Sequence, residues 1–393
     1  MPLGSRWATG SLKLQMLRER ARTARSAAWR DRLAGSTRPA PTQAPPTGPT
    51  AQVDPHRGDV LDQAERLVRD GRPVDAVDLL AAAYRADPTP PLAIRLIELR
   101  HDAARSLDPG PGRSPWPSPY TDPFPHVSGR LPEVTAADLT TDLLGGSVTH
   151  HGALIVRGLF DGPLVGRGVE AVRRAQMERD GRPTNGEHAA GPAWYRPFPS
   201  PVKQDQVLRS MVAKQGGTWL ADSPAGTAFF LDALTATGVI DVISDHLGER
   251  PFFSLQKSTL RRSPPEDKIV AWHQDGSFLD AGVRTMNVWL ALSRCGGDYP
   301  SPGLEVVPRR IPDILPIEGT LSPHAISFDI VDKMASEAPV IRPEFAPGDA
   351  LMFDERFLHR THTNRFMTED RYALECWFFA PSHRSTGYVP LLV

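Results

Sequence analysis

Apolar residues are most regularly spaced in the last third of the chain, from residue 252 onward. Short runs rich in aromatic and β-branched residues alternate there with turns of Gly, Pro and Asp. Such runs are typical of β-strands, and their close spacing with few helical patterns between them indicates antiparallel sheets. Strands are predicted at 252–262, 269–278, 284–292, 304–307, 340–345, 350–358 and 372–379. We therefore expect a mainly β fold with flanking helices, specifically a double-stranded β-helix (a jelly roll of the cupin type).

Apolar residues between positions 60 and 107 instead recur every three or four residues, which is the spacing of one helix face. Breaks at Gly71-Arg72-Pro73 and Asp87-Pro88 separate three such stripes, so three short helices are predicted. The pattern resembles a tetratricopeptide-type helical hairpin, although such arrays need about three repeats to bury a continuous core. Residues 59–107 are therefore interpreted as a small N-terminal α-helical segment. It either braces the main domain, as we favour, or docks a protein partner.

Two proline-rich stretches divide the chain. The first, at 35–55, has six prolines and follows an Arg- and Ala-rich stretch at 11–34. That stretch forms either a basic amphipathic helix or, as we favour, a solvated arm, so residues 1–58 are expected to be a disordered arm and linker. The second, at 108–125, has seven prolines and precedes the main domain, residues 126–393. The chain before about residue 115 has no cluster of ligand-like residues, and is predicted to be dispensable for chemistry.

Composition excludes several classes of protein. The chain has 45 basic and 46 acidic residues, a net charge of −1, which argues against binding to nucleic acid or to anionic membranes. No apolar run has the length of a membrane span, and the N-terminus has no apolar signal core. The two cysteines, Cys295 and Cys376, lie in or beside apolar runs, which is typical of buried thiols. We expect a cytoplasmic protein that acts on a small-molecule substrate, with the helical segment as the candidate surface for a protein partner.

One candidate site lies within the predicted strands, at His273 and Asp275 in the sequence Trp-His-Gln-Asp-Gly. Residues two apart on a strand point to the same face, so this imidazole and this carboxylate would converge. Two histidines and one carboxylate form the facial triad that binds non-haem Fe(II), so a distant histidine should complete the set. His359 is the candidate, with His362 as its rival on the same loop. The alternative for any single histidine here is an ordinary hydrogen-bonded core residue.

The complete series of residues is more specific than its parts. His273-x-Asp275 is followed by His359 after Gly-Asp-Ala-Leu-Met-Phe, then by Asn364, then by Arg371 at the head of the last apolar run. In this series, from about residue 152 to 381, the chain resembles the phytanoyl-CoA dioxygenase-like family of Fe(II)- and 2-oxoglutarate-dependent oxygenases. The resemblance implies that His273, Asp275 and His359 bind Fe(II) as catalytic ligands. It also implies that 2-oxoglutarate and dioxygen are the cosubstrates.

The same resemblance, with the chemistry of a buried carboxylate, indicates the cosubstrate-binding residues. Arg371 is expected to bind the far carboxylate of 2-oxoglutarate, because a planar guanidinium offers two parallel hydrogen bonds. Thr361, two residues beyond the last histidine ligand, would add a hydroxyl on the same side. Trp289 matches a family tryptophan of the cosubstrate pocket, with an ordinary core tryptophan as the alternative. Gln256 and Ser258 alternate along the predicted strand before the triad, so both are expected to face the pocket.

The reaction that the resemblance implies is hydroxylation of a small organic substrate with release of succinate and carbon dioxide. Related halogenases replace the triad carboxylate with a small residue, so the presence of Asp275 favours hydroxylation or desaturation over chlorination. One alternative is a cupin-like metal-binding protein without oxygenase activity. Another is a docking protein whose helical segment recruits a partner. Intact ligands together with Arg371 argue against both.

Overall fold

The computed structural model describes residues 55–181, 193–200, 204–266, 269–318 and 324–393, and residues 54–393 form one compact unit. The predicted basic stretch at 11–34 and nearly all of the linker at 35–55 lie outside the described residues. The helices of the described part are α1 (Pro55–Arg69), α2 (Pro73–Ala86), α3 (Pro90–Ser106), α4 (Thr141–His151), α5 (Gly162–Asp180), α6 (Asp205–Lys214), α7 (Pro224–Ala236), α8 (Val239–Leu247) and α9 (Phe328–Ala335).

The described strands form two sheets. They are β1 (Glu133–Thr135), β2 (Ala153–Arg157), β3 (Gly217–Trp219), β4 (Phe252–Ser254), β5 (Thr259–Ser263), β6 (Thr285–Ala291), β7 (Gly303–Val306), β8 (Ala350–Phe353), β9 (His359–His362), β10 (Arg371–Phe379) and β11 (Pro390–Leu392). The larger sheet has the order β1-β2-β8-β6-β10-β4-β11, with β5 also paired to β10 and β3 paired to β5. Strands β7 and β9 form a second, two-stranded sheet. The prediction of a sheet-rich fold with flanking helices is confirmed.

Strand β6 is buried along its whole length because each of its faces meets a different core. Met286, Val288 and Leu290 belong to the core that the sheet shares with helices α4, α5, α7 and α8. Trp289 and Ala291 belong to a second core, which includes residues of β7 in the smaller sheet. The alternation of side chains along a strand therefore directs Trp289 and Asn287 to the face where the two sheets meet.

The three N-terminal helices pack on the rest of the unit. Their apolar faces form one core with Ala228 of α7, Phe252 of β4 and Leu392 of β11. Arg100 of α3 is buried, and its Nη1 donates to the carbonyl of Leu392 at 2.7 Å. Across the described residues no single helix is long and apolar enough to cross a membrane, although the bent pair α7 and α8 passes that test by length and composition.

Several predicted strands are shorter than the apolar pattern indicates, because local hydrogen bonds interrupt them. The run at 252–262 is divided into β4 and β5 by a turn in which the amide of Ser258 donates to the carbonyl of Ser254. The run at 350–358 ends as a strand at Phe353, because the Asp354 carboxylate accepts from the amide of Arg356 in a turn.

Two further predictions of strands are wrong. Residues 340–345 make only isolated bridges, since Pro343 has no amide hydrogen to donate to a ladder. Residues 269–278 also form no strand: the described part of this segment is irregular and ends in a 3-10 helix at Asp275–Phe278. The expected alternation of His273 and Asp275 on one strand face therefore does not explain how these residues meet.

Candidate metal centre and its cavity

His273 and His359 are brought together by the backbone. They form an isolated antiparallel bridge, in which each amide donates to the carbonyl of the other residue at 3.1 Å. Asp275 follows at the start of the 3-10 helix, and one of its carboxylate oxygens, Oδ1, lies 3.7 Å from Nε2 of His273. The ligand atoms of the three side chains all lie within 4.8 Å of one another. The three residues predicted as ligands are thus adjacent.

Backbone carbonyls orient both imidazole rings. Nδ1 of His273 lies 3.0 Å from the carbonyl oxygen of Ala271, and Nδ1 of His359 lies 3.0 Å from that of Phe357. A carbonyl oxygen only accepts, so each Nδ1 holds the proton and each Nε2 keeps a lone pair for a metal. In both histidines the ring contacts the carbonyl two residues earlier in the chain, so both rings have the same tautomer, with the proton on Nδ1.

The third side chain is fixed from strand β6. Nδ2 of Asn287 donates to Oδ2 of Asp275 at 3.1 Å. Because an amide N–H occupies this oxygen, the carboxylate is held with Oδ1 on the side of His273. Hydrogen-bonded ligating carboxylates are typical of metal sites. Asn287 was not among the residues predicted from sequence, although its position two residues before Trp289 on a strand places both on one face.

Burial sets the protonation states of the triad. Burial and the neighbouring His359 ring lower the pKa of His273 to about 4, and burial also lowers the pKa of His359. Burial raises the pKa of Asp275 to about 6, opposed by the charges of His273 and Lys257 and by the hydrogen bond from Asn287. At neutral pH the two rings are neutral and the carboxyl group is ionised, which is the state that binds a metal.

The triad lines a cavity of about 660 Å³, which Arg371 also reaches. Arg371 is 1 % exposed; its Nη1 donates to the carbonyl of Gly303 at 3.1 Å and its Nη2 to Oγ of Ser263 at 2.9 Å. Its guanidinium carbon lies 5.4 Å from the centroid of the Trp289 ring. Within the described ranges, no carboxylate forms an ion pair with this buried guanidinium and its Nε has no hydrogen-bond partner.

The other expected cosubstrate residues have different surroundings. Thr361 and Trp289 line the cavity. Gln256 also lines it, but its amide is already engaged: Nε2 donates to Asp205 and Oε1 accepts from the amide of Val389. Ser258 is not among the described residues of the cavity wall; its hydroxyl accepts from the amide of Trp377, because the turn before β5 breaks the predicted alternation. The prediction that Ser258 faces the pocket is therefore wrong.

The rival histidine, His362, belongs to a different cluster. Its Nδ1 lies 3.1 Å from Oε1 of Glu305, a buried carboxylate that also pairs with Arg342 and Arg360. His362 is not part of the candidate metal cluster among the described residues. The two histidines are three residues apart on β9, so they lie on opposite faces of the strand.

Strand β10 supplies a charged residue of the cavity that was not predicted from sequence. Glu375 lies four residues after Arg371, so both face the cavity. Its Oε2 accepts from Nη2 of Arg261 on the paired strand β5 at 2.7 Å. Burial alone would raise the pKa of Glu375, but the charges of Arg261 and Arg371 hold it below its ordinary value. Counting every second residue from Arg371 would have identified Glu375.

Lys257 is a third residue of the cavity wall that was not predicted from sequence. It lies in the turn between β4 and β5, which the apolar pattern had merged into one strand. Its amino group is surrounded by aromatic rings from three separate parts of the chain. Sequence spacing gives no signal for such a cluster.

The solved structures that resemble this chain do so at low identity. EctD from S. alaskensis, solved with 2-oxoglutarate and 5-hydroxyectoine, is 16% identical with a TM-score of 0.43, covering 60% of this chain and 74% of EctD. The epimerase SnoN, solved with Fe3+, alpha ketoglutarate and nogalamycin RO, is 16% identical with a TM-score of 0.41, covering 61% and 83%. EvdO2 from Micromonospora carbonacea var. aurantiaca, complexed with 2-oxoglutarate, is 18% identical with a TM-score of 0.36, covering 62% and 89%.

Comparison with curated proteins gives no match. The family comparison is more informative, because the phytanoyl-CoA dioxygenase (PhyH) model matches residues 150–367, which is more than half of the chain. The matched range contains the triad and most of the sheet around it. This chain therefore belongs to the phytanoyl-CoA dioxygenase family of Fe(II)- and 2-oxoglutarate-dependent oxygenases.

Proposed function

We propose that the protein is an Fe(II)- and 2-oxoglutarate-dependent dioxygenase that hydroxylates a small organic substrate, releasing succinate and carbon dioxide. The main support is the buried cluster of His273, Asp275 and His359, whose ligand atoms lie within 4.8 Å of one another. Two neutral imidazoles and one carboxylate are the donor set that non-haem Fe(II) oxygenases use. The metal would be held by Nε2 of each ring and by the Asp275 carboxylate.

Three buried polar atoms support a polar ligand beside the metal. They are Nε of Arg371, Nε1 of Trp289 and Oδ1 of Asn287, and each lacks a hydrogen-bond partner among the described residues. All three side chains line the cavity. Buried polar atoms are rarely left unsatisfied, so the two N–H groups fit a bound carboxylate. We propose that Arg371, with Trp289 beside it, binds the far carboxylate of 2-oxoglutarate, and that Thr361 adds a hydroxyl.

In the proposed reaction, Fe(II) with 2-oxoglutarate and dioxygen supplies the oxidation of a C–H bond. The protein contributes the geometry and burial of the ligands. Asn287 holds the ligating carboxylate, and the rings of Phe353 and Phe357 pack against His359 at centroid distances of 5.0 and 6.1 Å. Arg371 is buried at this cavity, and burial strengthens its pairing with a carboxylate. Because Asp275 is present, hydroxylation is proposed rather than chlorination.

We also propose that the two sheets are the halves of a double-stranded β-helix of the cupin type. Supporting this, one apolar core is shared by β6 and β8 of the larger sheet and β7 of the smaller one. The triad then lies at the edge of that core, since Phe353 belongs to the core and also lines the cavity.

The test is succinate release from 2-oxoglutarate by the purified chain supplied with Fe(II) and air, even without the true substrate. We expect turnover that is lost in His359→Ala and continues in His362→Ala. A metal-binding protein without oxygenase activity would bind Fe(II) but release no succinate, even as the wild-type chain. Metal uptake without any succinate would therefore contradict the proposal.

A further inference from the structure

Resting on the proposed function, we propose that Lys257 anchors a single anionic group of the substrate, so that the substrate is a small monocarboxylate with an apolar body. Lys257 lies in the turn between β4 and β5 and shares the cavity wall with His273, Asp275 and His359. A group fixed there would place the rest of a substrate in the same cavity as the metal.

Three aromatic rings hold the Lys257 amino group in position. Nζ lies 4.3 Å from the ring centroid of Phe278, 5.0 Å from that of Trp377 and 5.2 Å from that of Tyr388. The hydroxyl of Tyr388 donates to the carbonyl of Phe278 at 2.8 Å, which fixes two of the three walls relative to each other. A cation is attracted to ring faces, so the charged side chain is ordered before any ligand binds.

Rings satisfy the charge but not the hydrogen-bond donors of an ammonium group. Across the described ranges, Lys257 has neither an ion pair with a carboxylate nor a hydrogen bond from its amino group. Burial lowers the pKa of Lys257 to about 8, opposed by the charges of Asp275 and Glu375, neither of which forms an ion pair with it, so the amino group is mostly protonated at neutral pH. A buried cation without an anionic partner is unfavourable, and an arriving carboxylate would provide that partner.

The charge of the cavity points to one anionic group. Its described wall contains three cations, Lys257, Arg261 and Arg371, and two carboxylates, Asp275 and Glu375, which leaves one positive charge. A divalent metal and the 2-oxoglutarate dianion cancel each other. Arg261 is already paired with Glu375, and Arg371 is assigned to the cosubstrate. Lys257 therefore remains as the unpaired cation.

The apolar residues of the cavity wall indicate the chemistry of the rest of the substrate. Val212, Ile269, Val270, Leu304 and Trp377 present apolar surface to the same cavity. A molecule with one carboxylate and a hydrocarbon or aromatic body would match both the single unpaired charge and this surface.

The experiment uses a panel of small monocarboxylates, each with its neutral primary amide. Both are titrated calorimetrically into anaerobic protein that holds Fe(II) and saturating 2-oxoglutarate. We expect at least one carboxylate to bind about tenfold or more tightly than its amide. In Lys257→Met, which keeps the length and apolar stem, that preference should be lost while amide binding is retained. Lys257→Arg should restore part of the preference, and Lys333→Met, on the exposed face of α9, should leave it unchanged.

Three results would overturn the inference. The first is wild-type protein with no carboxylate preferred over its amide, and the second is a preference that persists in Lys257→Met. The third is Lys257→Met protein that binds 2-oxoglutarate more weakly, which would assign this residue to the cosubstrate. Failure of the proposed function would give a different result from failure of this inference. The wild-type chain would then not bind 2-oxoglutarate at its iron at all.

Discussion

Replacing Arg371 by alanine should remove the binding site for the far carboxylate of 2-oxoglutarate. The guanidinium is buried, and two of its nitrogens are held by the carbonyl of Gly303 and the hydroxyl of Ser263. The third nitrogen, Nε, has no hydrogen-bond partner among the described residues, and the Arg371 side chain lines the cavity that contains the triad. A carboxylate bound there would be buried with a single cation to balance it.

The size of the effect follows from this burial. Removing one partner of a buried ion pair typically costs about 3–5 kcal/mol, because the other charge stays buried and uncompensated. At about 1.4 kcal/mol per tenfold, 2-oxoglutarate should bind Arg371→Ala roughly 100-fold more weakly or worse. Arg371→Lys should recover only part of this loss, since an ammonium group offers no planar pair of donors. Iron affinity should change little because Arg371 is not a ligand.

The assay is an anaerobic titration of 2-oxoglutarate into Fe(II)-loaded protein, followed by the charge-transfer absorption of the chelate. Arg262→Ala is the matched control, because Arg262 neighbours Arg261 on β5 but is half-exposed and pairs with Asp370 outside the cavity wall. It should leave the dissociation constant unchanged. The same dissociation constant in Arg371→Ala and wild type would refute the reasoning and place the carboxylate elsewhere in the cavity.

Three further predictions concern stability. Burial and Asp354 raise the pKa of Glu355 from 4.5 to about 7, so its contribution to stability is lost as the pH rises through about 7. Glu355→Gln should flatten that part of the pH profile in urea denaturation, and an unchanged profile would contradict this. Gly296→Ala should destabilise the fold more than Gly282→Ala. Both glycines have a positive φ, which costs an alanine about 1–2 kcal/mol. Only at Gly296 would the new Cβ also clash, because it would lie 1.9 Å from the backbone oxygen of Pro343. Equal urea midpoints for the two variants would contradict the clash. Truncation near Ser114 should still spare 2-oxoglutarate turnover, as predicted from sequence, but it should lower the melting temperature because it removes the helices that cover β4 and β11. An unchanged melting temperature would contradict that packing.

Arg371 and Trp289 were identified from sequence by residue type and resemblance, and the strands on which they lie explain their positions. Asn287 and Glu375, on the same two strands, were not predicted. Arg371 begins the longest strand, and period-two spacing along β10 and β6 directs Arg371 and Trp289 to the cavity. His273 and Asp275 were identified by residue type and by resemblance, but their expected strand does not form. They meet because His273 bridges His359 and the chain then turns at Asp275, an arrangement that depends on a partner more than eighty residues away.

The remaining features depend on contacts between distant segments. The ring cluster around Lys257 combines Phe278, Trp377 and Tyr388, whose separation in sequence gives no periodic signal. Ser258 was misplaced for a related reason, since a turn after Ser254 shifts the face on which later residues lie. Hydrophobic pattern predicts which segments are buried, whereas turns within an apolar run are set by hydrogen bonds that the pattern does not encode.

The iron content of matched variants tests the central claim most directly. Anaerobic Fe(II) titration of wild-type protein should show one iron per chain, and His362→Ala should match it. His273→Ala, Asp275→Ala and His359→Ala should each weaken iron binding by about tenfold or more, because the ligands act as a set. Full iron binding in His359→Ala, together with its loss in His362→Ala, would contradict the account.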